Sequence, residues 1–379
     1  MITIDDIRPY YDSEVNDALL KFMEHPMVLA MLQFTFPNKN MEEIMAIAES
    51  CHSIRDFQSK IIYNSIRMVL EKSSEGFSTD GFEKLEKGES YLFISNHRDI
   101  ILDTSLLNVA LYEHDLVMTA SAIGDNLVKK PFLMALSRLN RSFIIKRDLS
   151  PREMLKSSKL VSSYISNSLQ KEKRSIWIAQ REGRTKNGDD QTQQGVLKML
   201  ALANDEDQVM DYFKKLKIVP ISISYEYDPT DVLKMPELMA KHKEIEYVKS
   251  NNEDFNSILK GITGRKRHIH ISAGKVFSAE LDEIKNSGEP NNKQFQMLAD
   301  TIDAEIYKNY KLWPSNYLAY DLLNNTTKFS EFYSDKEKRQ FKRRIKRRVQ
   351  IGDKIELENF LRMYAHPVTN HLKYKVSAS

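Results

Sequence analysis

The chain has 379 residues and carries 56 Lys or Arg against 53 Asp or Glu, which gives a formal net charge of +3. The length allows one large domain with additions or two domains, and the near balance of charge excludes the strong overall field of a dedicated nucleic-acid binder. The single cysteine, Cys51, leaves no partner for an internal disulfide or a cysteine-rich zinc site, which favours a reducing compartment.

Residues 1–75 have the pattern of a wholly helical region. Ser13, Asn40 and Ser53 stand where N-cap residues are expected, each ahead of a helical pattern. The start of the chain has neither the basic nor the apolar part of a secretory signal peptide. Its most apolar stretch, 27–36, is about half of the roughly 20 residues that a membrane-spanning helix needs. We therefore expect a soluble or peripheral protein, with this stretch either buried among helices or acting as a second membrane anchor.

From about residue 76 short apolar runs alternate with helical patterns, and beyond about 290 the chain returns to helix. This alternation predicts an α/β domain at 76–290, with a mixed central sheet flanked by helices. The helical regions 1–75 and 291–379 would be additions at either end. The predicted strands are 91–95, 116–120, 142–146, 175–179, 218–225 and 268–272.

The stretch 91–107 carries the clearest chemical signal. An apolar run is interrupted by the polar residues 95–99 and then resumes, which predicts a buried strand, a tight turn and the start of a helix. His97 would then lie at the C-terminal end of a strand, where ligands bind in open α/β sheets. An imidazole beside carboxylates at such a place can act as an oriented general base. The alternative is a histidine that caps a helix or is satisfied structurally.

Four segments now form an ordered set. The first places Asn96 and His97 before an apolar helix, the second is the aromatic-apolar strand 141–147, the third is the glycine-containing turn 182–185, and the fourth is the proline-containing strand 218–225. Together they resemble the blocks of the glycerophospholipid acyltransferase superfamily, which includes glycerol-3-phosphate and 1-acylglycerol-3-phosphate acyltransferases. Relative to the family pattern, the His-to-Asp spacing is one residue longer and the Gly-to-Arg spacing one residue shorter.

The resemblance implies transfer of a fatty acyl group to a hydroxyl in phospholipid biosynthesis. The donor would be an acyl thioester, acyl-CoA or acyl-carrier protein, and the acceptor glycerol-3-phosphate or a lysophospholipid. Such chemistry needs a base for the hydroxyl proton, a group that orients the base, and donors for the developing oxyanion. It requires no metal and no cofactor besides the donor as co-substrate. A Cys51 nucleophile is disfavoured because its neighbour His52 would point in another direction on a helix.

Two carboxylates could orient His97. Asp103 continues the family's pattern at the start of the apolar helix, whereas Asp99 lies only two residues from the histidine. Asp99 is also well placed to cap the helix that begins near Ile100. We expect Asp103 to be the partner and Asp99 the cap, and both roles can hold together.

Basic residues at the ends of the blocks indicate an anionic acceptor. Arg147 follows a strand directly and Arg184 lies in the glycine-containing turn, so both guanidinium groups could bind a phosphate. Glu182 and Gly183 match the turn with which the family binds its acceptor. The alternative is that such residues are solvated charges at the rim. Supporting residues of the blocks are Asn96, Arg98, Asp99, Lys146 and Pro220.

The C-terminal region contains a basic amphipathic pattern. Nine of the thirteen residues at 336–348 are Lys or Arg, and Phe341, Ile345 and Val349 form a narrow apolar stripe. Such a helix could bind the anionic inner face of the cell membrane from the cytoplasm, an acidic acyl-carrier protein or RNA. It could also be a solvated face that packs through its stripe onto the core. We expect the membrane or carrier role and no nucleic acid.

Two rival functions remain open at this point. One keeps the chemistry but uses an amino-acid lipid as acceptor, because the altered turn 182–185 is where acceptor choice would be set. The other is a non-catalytic peripheral membrane or nucleic-acid binding protein that uses the basic helix, and His97 argues against it. The acyl donor, the chain length and the oligomeric state do not follow from the sequence.

Overall fold

The computed structural model of the protein describes residues 2–377 and is built around one mixed sheet of seven strands. The strands are β1 (Ser74–Asp80), β2 (Leu92–Ser95), β3 (Ala120–Gly124), β4 (Ser142–Ile145), β5 (Ile176–Ala179), β6 (Ile218–Tyr225) and β7 (Arg267–Ala273). Their order in the sheet is β1-β7-β6-β2-β5-β3-β4. The five strands from β6 to β4 are parallel, β7 is antiparallel to β6, and β1 is parallel to β7. The predicted mixed α/β sheet is confirmed.

Helices cover both faces of this sheet and form the two ends of the chain. Before β1 lie α1 (Ile4–Ile7), α2 (Asp12–Met23), α3 (Pro26–Thr35), α4 (Met41–Glu49), α5 (Ile54–Phe57) and α6 (Tyr63–Ser73). Among and after the strands lie α7 (Leu102–Glu113), α8 (Pro131–Leu139), α9 (Pro151–Gln170), α10 (Gln194–Leu200), α11 (Val209–Leu216), α12 (Asp231–His242), α13 (Glu253–Thr263), α14 (Ala279–Asn286), α15 (Asn291–Asn309), α16 (Pro314–Leu323), α17 (Asp335–Lys346) and α18 (Lys354–Ser377).

Local sequence explains several helix boundaries. Asn40 accepts a hydrogen bond from the Glu43 N–H at 2.9 Å, and the Glu43 carboxylate accepts the Asn40 N–H at 2.8 Å. This reciprocal cap satisfies two backbone donors that the first turn of α4 leaves unpaired. Ser334 and Glu337 form the same arrangement at the start of α17. The predicted caps of Asn40 and Ser53 are confirmed, whereas α2 begins at Asp12, ahead of the predicted Ser13 cap.

Side chains alternate between two apolar layers along the central strands. In β2, Leu92 and Ile94 pack into one layer and Phe93 into the other, as the two-residue period of a strand requires. Helices α9–α11, α14 and α15 cover the first layer, and α6 and α7 cover the second. Both faces of the parallel strands are therefore buried, and their carboxyl ends meet at one edge, where a ligand can bind.

Two strands differ from the predictions. The third strand was predicted at 116–120, but β3 starts at Ala120, because Leu116 and Met118 pack against α7 before the chain enters the sheet. β1, Ser74–Asp80, is missing from the predictions because its sequence is mostly polar and it lies at the edge of the sheet. Its first residue, Ser74, directly follows Ser73, the last residue of α6.

The basic helix packs onto the protein through its apolar stripe. Phe341 is 1% exposed and Val349 9%, within a core formed with α12, α16 and α18. One arginine of the basic set is also buried, since Arg344 donates to the Asp231 carboxylate at 2.7 Å. Among residues 2–377, no helix has both the length and the apolar character needed to cross a bilayer.

Candidate active site

Asn96 determines how the chain leaves the sheet. β2 ends at Ser95, and the Asn96 side chain then continues the ladder: its Nδ2 donates to the Ile223 carbonyl at 2.9 Å and its Oδ1 accepts from the Ile223 N–H at 2.8 Å. The side-chain amide thus replaces a backbone peptide beside β6 while the main chain turns away. The His97 carbonyl is held by the Thr185 N–H at 2.9 Å. Asn96, fully buried, therefore positions His97 without facing a substrate.

His97 and Asp103 form a hydrogen-bonded pair. The distance from His97 Nδ1 to Asp103 Oδ2 is 2.8 Å, and Asp103 is fully buried in the first turn of α7. The same carboxylate oxygen accepts the N–H groups of Arg98 at 2.6 Å and Asp99 at 2.9 Å. An imidazole that donates from Nδ1 to a carboxylate presents Nε2 as its basic nitrogen. The arrangement can take a proton from a hydroxyl.

Tyr225 is a member of this site that the sequence did not single out. Its hydroxyl donates to Asp103 Oδ1 at 2.8 Å from the end of β6. Burial, and next the Asp103 charge, raise the pKa of Tyr225 well above its ordinary value, so the phenol stays protonated and acts as a donor. The only signal in the sequence is a tyrosine at the end of a buried strand. Tyr225 and the turn amides together fix the orientation of the Asp103 carboxylate.

Trp177 limits the movement of the imidazole. Its ring meets the His97 ring edge-on, with centroids 5.4 Å apart and planes inclined by 72°. The indole N–H is anchored to Ser95 Oγ at 2.9 Å, one strand away. The His97 side chain is 13% exposed and lines the cavity described below.

Asp99 takes the capping role. Its Oδ1 accepts the N–H groups of Ile101 at 3.0 Å and Leu102 at 2.9 Å, which are unpaired donors at the start of α7. Burial, and next the neighbouring Asp103 charge, raise the pKa of Asp99. The structure therefore places Asp103, and not Asp99, at the imidazole.

A large cavity opens beside His97. Its volume is about 810 Å³, enough for a drug-sized or lipid-like ligand. The apolar lining comes from the N-terminal helices as well as from the sheet and α13, and includes Met31, Phe34, Ile62, Ile66, Val69, Ala122, Ile123, Val161, Ile258 and Ile262. The cavity is therefore not confined to the 76–290 segment, and its walls suit an apolar chain.

Positive charges stand at the polar part of this cavity. Lys146, Arg147 and Arg181 line it together with Glu182 and Gly183. Arg147 Nη1 donates to the Glu182 carboxylate, so two residues that the sequence assigned to acceptor binding meet each other. Gly183 has φ +68°, in the left-handed region that favours glycine. These residues are brought to the same cavity as His97.

Arg184 lies elsewhere. It is 9% exposed and does not line the cavity, and the nearest charges that it influences belong to Asp99, Lys186 and Lys234. Its Nη1 has no hydrogen-bond partner among the described residues. Arg184 is therefore not brought together with Arg147 at the cavity.

Arg98 connects the loop that follows His97 to the segment that contains Thr185 and Asp190. It is 5% exposed, and its Nη2 lies 2.5 Å from Asp190 Oδ2. Asp190 Oδ1 in turn accepts from Thr185 Oγ1 at 2.8 Å. Pro220 is buried in β6 opposite Ile94. Arg98 and Pro220 therefore support the site from within the fold.

One comparison with known proteins matches the segment that carries this site. A family model described as Acyltransferase matches residues 77–224. A comparison with curated proteins gave no match. The chain is similar to the crystal structure of the 1-acyl-sn-glycerophosphate (LPA) acyltransferase, PlsC, from Thermotoga maritima, with 11% identity, 76% of this chain and 92% of that chain covered, and a TM-score of 0.37. The segment that carries His97 and Asp103, residues 77–224, therefore matches the Acyltransferase family.

Proposed function

We propose that the protein transfers a fatty acyl group from an acyl thioester to a hydroxyl of glycerol-3-phosphate or of a lysophospholipid. The observation that carries this proposal is the hydrogen-bonded pair of His97 and Asp103 at the edge of an apolar cavity of about 810 Å³. A cavity of this kind suits the acyl chain, and the imidazole suits activation of the acceptor. The cationic side chains beside it suit a phosphate.

The proposed reaction begins with deprotonation of the acceptor. His97 Nε2 takes the proton of the hydroxyl as its oxygen attacks the thioester carbonyl, and Asp103 stabilises the imidazolium that forms. The tetrahedral intermediate then expels the thiolate, which receives the proton back from His97. The products are an ester and a free thiol, so atoms and protons balance. A positioned base of this type contributes about 10²–10⁴-fold in rate.

The acceptor phosphate is assigned to Arg147. This side chain is 34% exposed in the cavity, where a guanidinium can bind phosphate through two parallel hydrogen bonds. A bound phosphate would compete with Glu182 for it, while Lys146 and Arg181 add positive charge nearby. Phosphate binding by Arg184 stays a prediction from the sequence, since this side chain would have to leave its buried position to reach the same phosphate.

We also propose that the protein attaches to an anionic membrane surface from the cytoplasm. The outward side of α17 presents six exposed cations: Lys336, Arg339, Lys342, Arg343, Lys346 and Arg347. The turn that follows carries Ile351 with 94% of its surface exposed. Each basic residue near an anionic bilayer contributes about 1 kcal/mol. A surface of this composition can bring the cavity to a lipid acceptor without a spanning helix.

The decisive test of function is product formation by the purified protein. Labelled palmitoyl-CoA and palmitoyl-acyl-carrier protein are each incubated with glycerol-3-phosphate, with 1-acylglycerol-3-phosphate and with an N-acyl amino acid bearing a hydroxyl. The proposal expects a labelled phospholipid with at least one phosphate acceptor. A labelled product only with the amino-acid lipid would move the acceptor assignment away from glycerophosphates, and no product with any pair would overturn the proposal.

A further inference from the structure

A second cavity lies at the N-terminal ends of the parallel strands, whereas His97 lies at their C-terminal ends. Arg141 comes directly before β4, and Arg174 comes two residues before β5, so both enter from the N-terminal ends of the parallel strands. His97 follows the C-terminal end of β2. A strand rises about 3.3 Å per residue, so the two sites are separated by the length of these strands. The second cavity has a volume of about 350 Å³.

Arg141 is a buried cation without a partner in this cavity. It is 8% exposed, and its guanidinium forms no hydrogen bond or ion pair with any of residues 2–377 that the structure describes. Buried charges in proteins are normally paired and hydrogen-bonded, because an unpaired one loses its hydration without compensation. The guanidinium lines the cavity, so its unused donors are available there to a ligand.

The backbone conformation of Arg141 also costs free energy. Its φ is +60°, in the left-handed region, at the position just past the end of α8 where glycine is the usual residue. Asn140, the residue before it, remains at φ −90°. A long cationic side chain is therefore kept where glycine would be favoured, which indicates that the side chain serves a purpose beyond ending the helix.

The charges around Arg141 are of both signs, since Arg174 and the carboxylates of Asp12 and Glu172 line the same cavity. Burial, and next the nearby Arg174, lower the pKa of Arg141 to about 9, with Asp12 acting in the opposite direction. Arg174 has only a distant partner, Glu172 Oε2 at 3.9 Å. Asp12 already accepts the Ile54 N–H at 2.9 Å. Arg141 therefore remains charged at neutral pH and is repelled by its neighbour.

The third arginine of the lining is already neutralised. Arg8 lies 2.6 Å from Asp5 and 2.7 Å from Glu14. Hydroxyl and amide groups of Ser163, Tyr164 and Asn167 add hydrogen-bonding capacity to the same cavity. The lining thus offers two guanidinium groups with unused donors, neutral polar groups, and the carboxylates of Asp12 and Glu172.

We propose that this cavity binds a small phosphate monoester, with its phosphate on Arg141 and Arg174 and its organic part against the rings of Tyr10 and Tyr164. A phosphate monoester carries a charge of about −1.5 to −2 at pH 7 and three acceptor oxygens, which matches two guanidinium groups better than a singly charged carboxylate does. The tyrosine rings line the cavity and suit a compact apolar or aromatic body. This site is separate from the proposed catalytic one.

Isothermal titration calorimetry with phenyl phosphate tests the proposal. Four proteins are compared: wild type, Arg141→Met, Arg174→Gln and Arg147→Met. Charge-assisted hydrogen bonds of this kind correspond to roughly tenfold to hundredfold in affinity, so the first two variants should bind that much more weakly than wild type. Arg147→Met, which changes the catalytic cavity, should retain one binding event of wild-type affinity. Benzoate should bind more weakly than phenyl phosphate to the wild type.

A thermal melt separates a ligand-binding role from a structural one. Methionine keeps much of the volume of Arg141 and removes an unpaired buried charge, so the ligand-free Arg141→Met protein should melt at or above the wild-type temperature. Absence of binding to the wild type would overturn the proposal. So would wild-type affinity in Arg174→Gln, or loss of all binding in Arg147→Met, which would place the phosphate in the catalytic cavity. If the Arg141→Met protein does not fold, the titration of Arg174→Gln alone tests the proposal. Weaker binding then supports the proposal, and wild-type affinity overturns it.

Discussion

His97 and Asp103 meet at 2.8 Å although five residues separate them in the chain. The loop between them contains one residue more than the family pattern, and within it the Asp99 carboxylate caps the start of α7. The Asp103 carboxylate accepts two amides of the same loop. The pair and the cap are therefore one structural unit.

Replacing the two aspartates should separate their roles. Asp103→Asn keeps the shape but loses the charge that stabilises the imidazolium, so kcat/KM should fall by up to about 10⁴-fold. Asp99→Ala should cost about 1 kcal/mol of stability through the lost cap and affect turnover less. Steady-state kinetics and thermal melts of both variants measure the two effects. The reverse ranking of the rates would identify Asp99 as the partner of His97.

The arginines of the acceptor blocks should also differ. Arg147→Ala should raise the KM for a phosphate-bearing acceptor more than the KM for the acyl donor, because Arg147 lines the cavity. Arg184→Ala, at a buried position outside the cavity, should raise the acceptor KM less and lower the melting temperature more. Separate titrations of the two substrates measure this. An increase confined to the donor KM would assign Arg147 to the donor's phosphates.

The apolar cavity should set which acyl chains are used. Ala122, on β3, lines it, and Ala122→Phe would fill part of its volume. Rates with long-chain thioesters should then fall relative to rates with short-chain ones, since overfilling a packed space is unfavourable. The ratio of kcat/KM for palmitoyl-CoA and butyryl-CoA measures the change. Ala122→Ser, which adds little volume, is the matched control, and an unchanged ratio in Ala122→Phe would place the acyl chain elsewhere.

The basic helix must be tested at its exposed positions alone. Changing Lys342, Arg343, Lys346 and Arg347 to Gln should abolish co-sedimentation with anionic vesicles at low salt and leave activity on water-soluble, short-chain substrates unchanged. High salt should release the wild type, because exposed charges are screened. Full sedimentation of the variant would favour the stretch 27–36 as the anchor.

Arg344 provides the contrasting variant on the same helix. It pairs with the fully buried Asp231, which also pairs with Arg348 at 2.8 Å. Arg344→Gln would leave that carboxylate with one cation instead of two and should cost about 1–3 kcal/mol of stability. Chemical denaturation of the variant measures this free energy of unfolding. A stability equal to that of the wild type would show that the ion pair contributes nothing to the fold.

The sequence predicts the centre of this fold because local signals there agree with one another. An apolar run, a polar turn and an apolar helix place His97 at a strand end, and the proline-containing run matches β6 at both ends. The parallel strands from β6 to β4 follow from the alternation of such runs with helices, whereas the antiparallel direction of β7 does not. In these places the pattern of burial and the local conformational preference favour the same structure.

Other features depend on contacts between distant parts of the chain. Nothing local to Tyr225 indicates that its hydroxyl reaches Asp103, and nothing local to Ile66 in α6 indicates that a helix before the sheet lines the cavity beside His97. Helices α12 and α13, inserted between β6 and β7, were not predicted individually. The sequence assigned Arg184 to phosphate binding and Arg344 to the basic face of a helix, and only tertiary packing shows that both are buried.

Acyl transfer by His97→Gln protein tests the central claim most directly. Glutamine keeps the size and polarity of the side chain but cannot take a proton at neutral pH. With wild-type melting temperature as the control for folding, we expect kcat/KM with a labelled acyl thioester and 1-acylglycerol-3-phosphate to fall by about 10²–10⁴-fold. Turnover near the wild-type rate in a correctly folded His97→Gln protein would contradict the assignment of His97 as the general base.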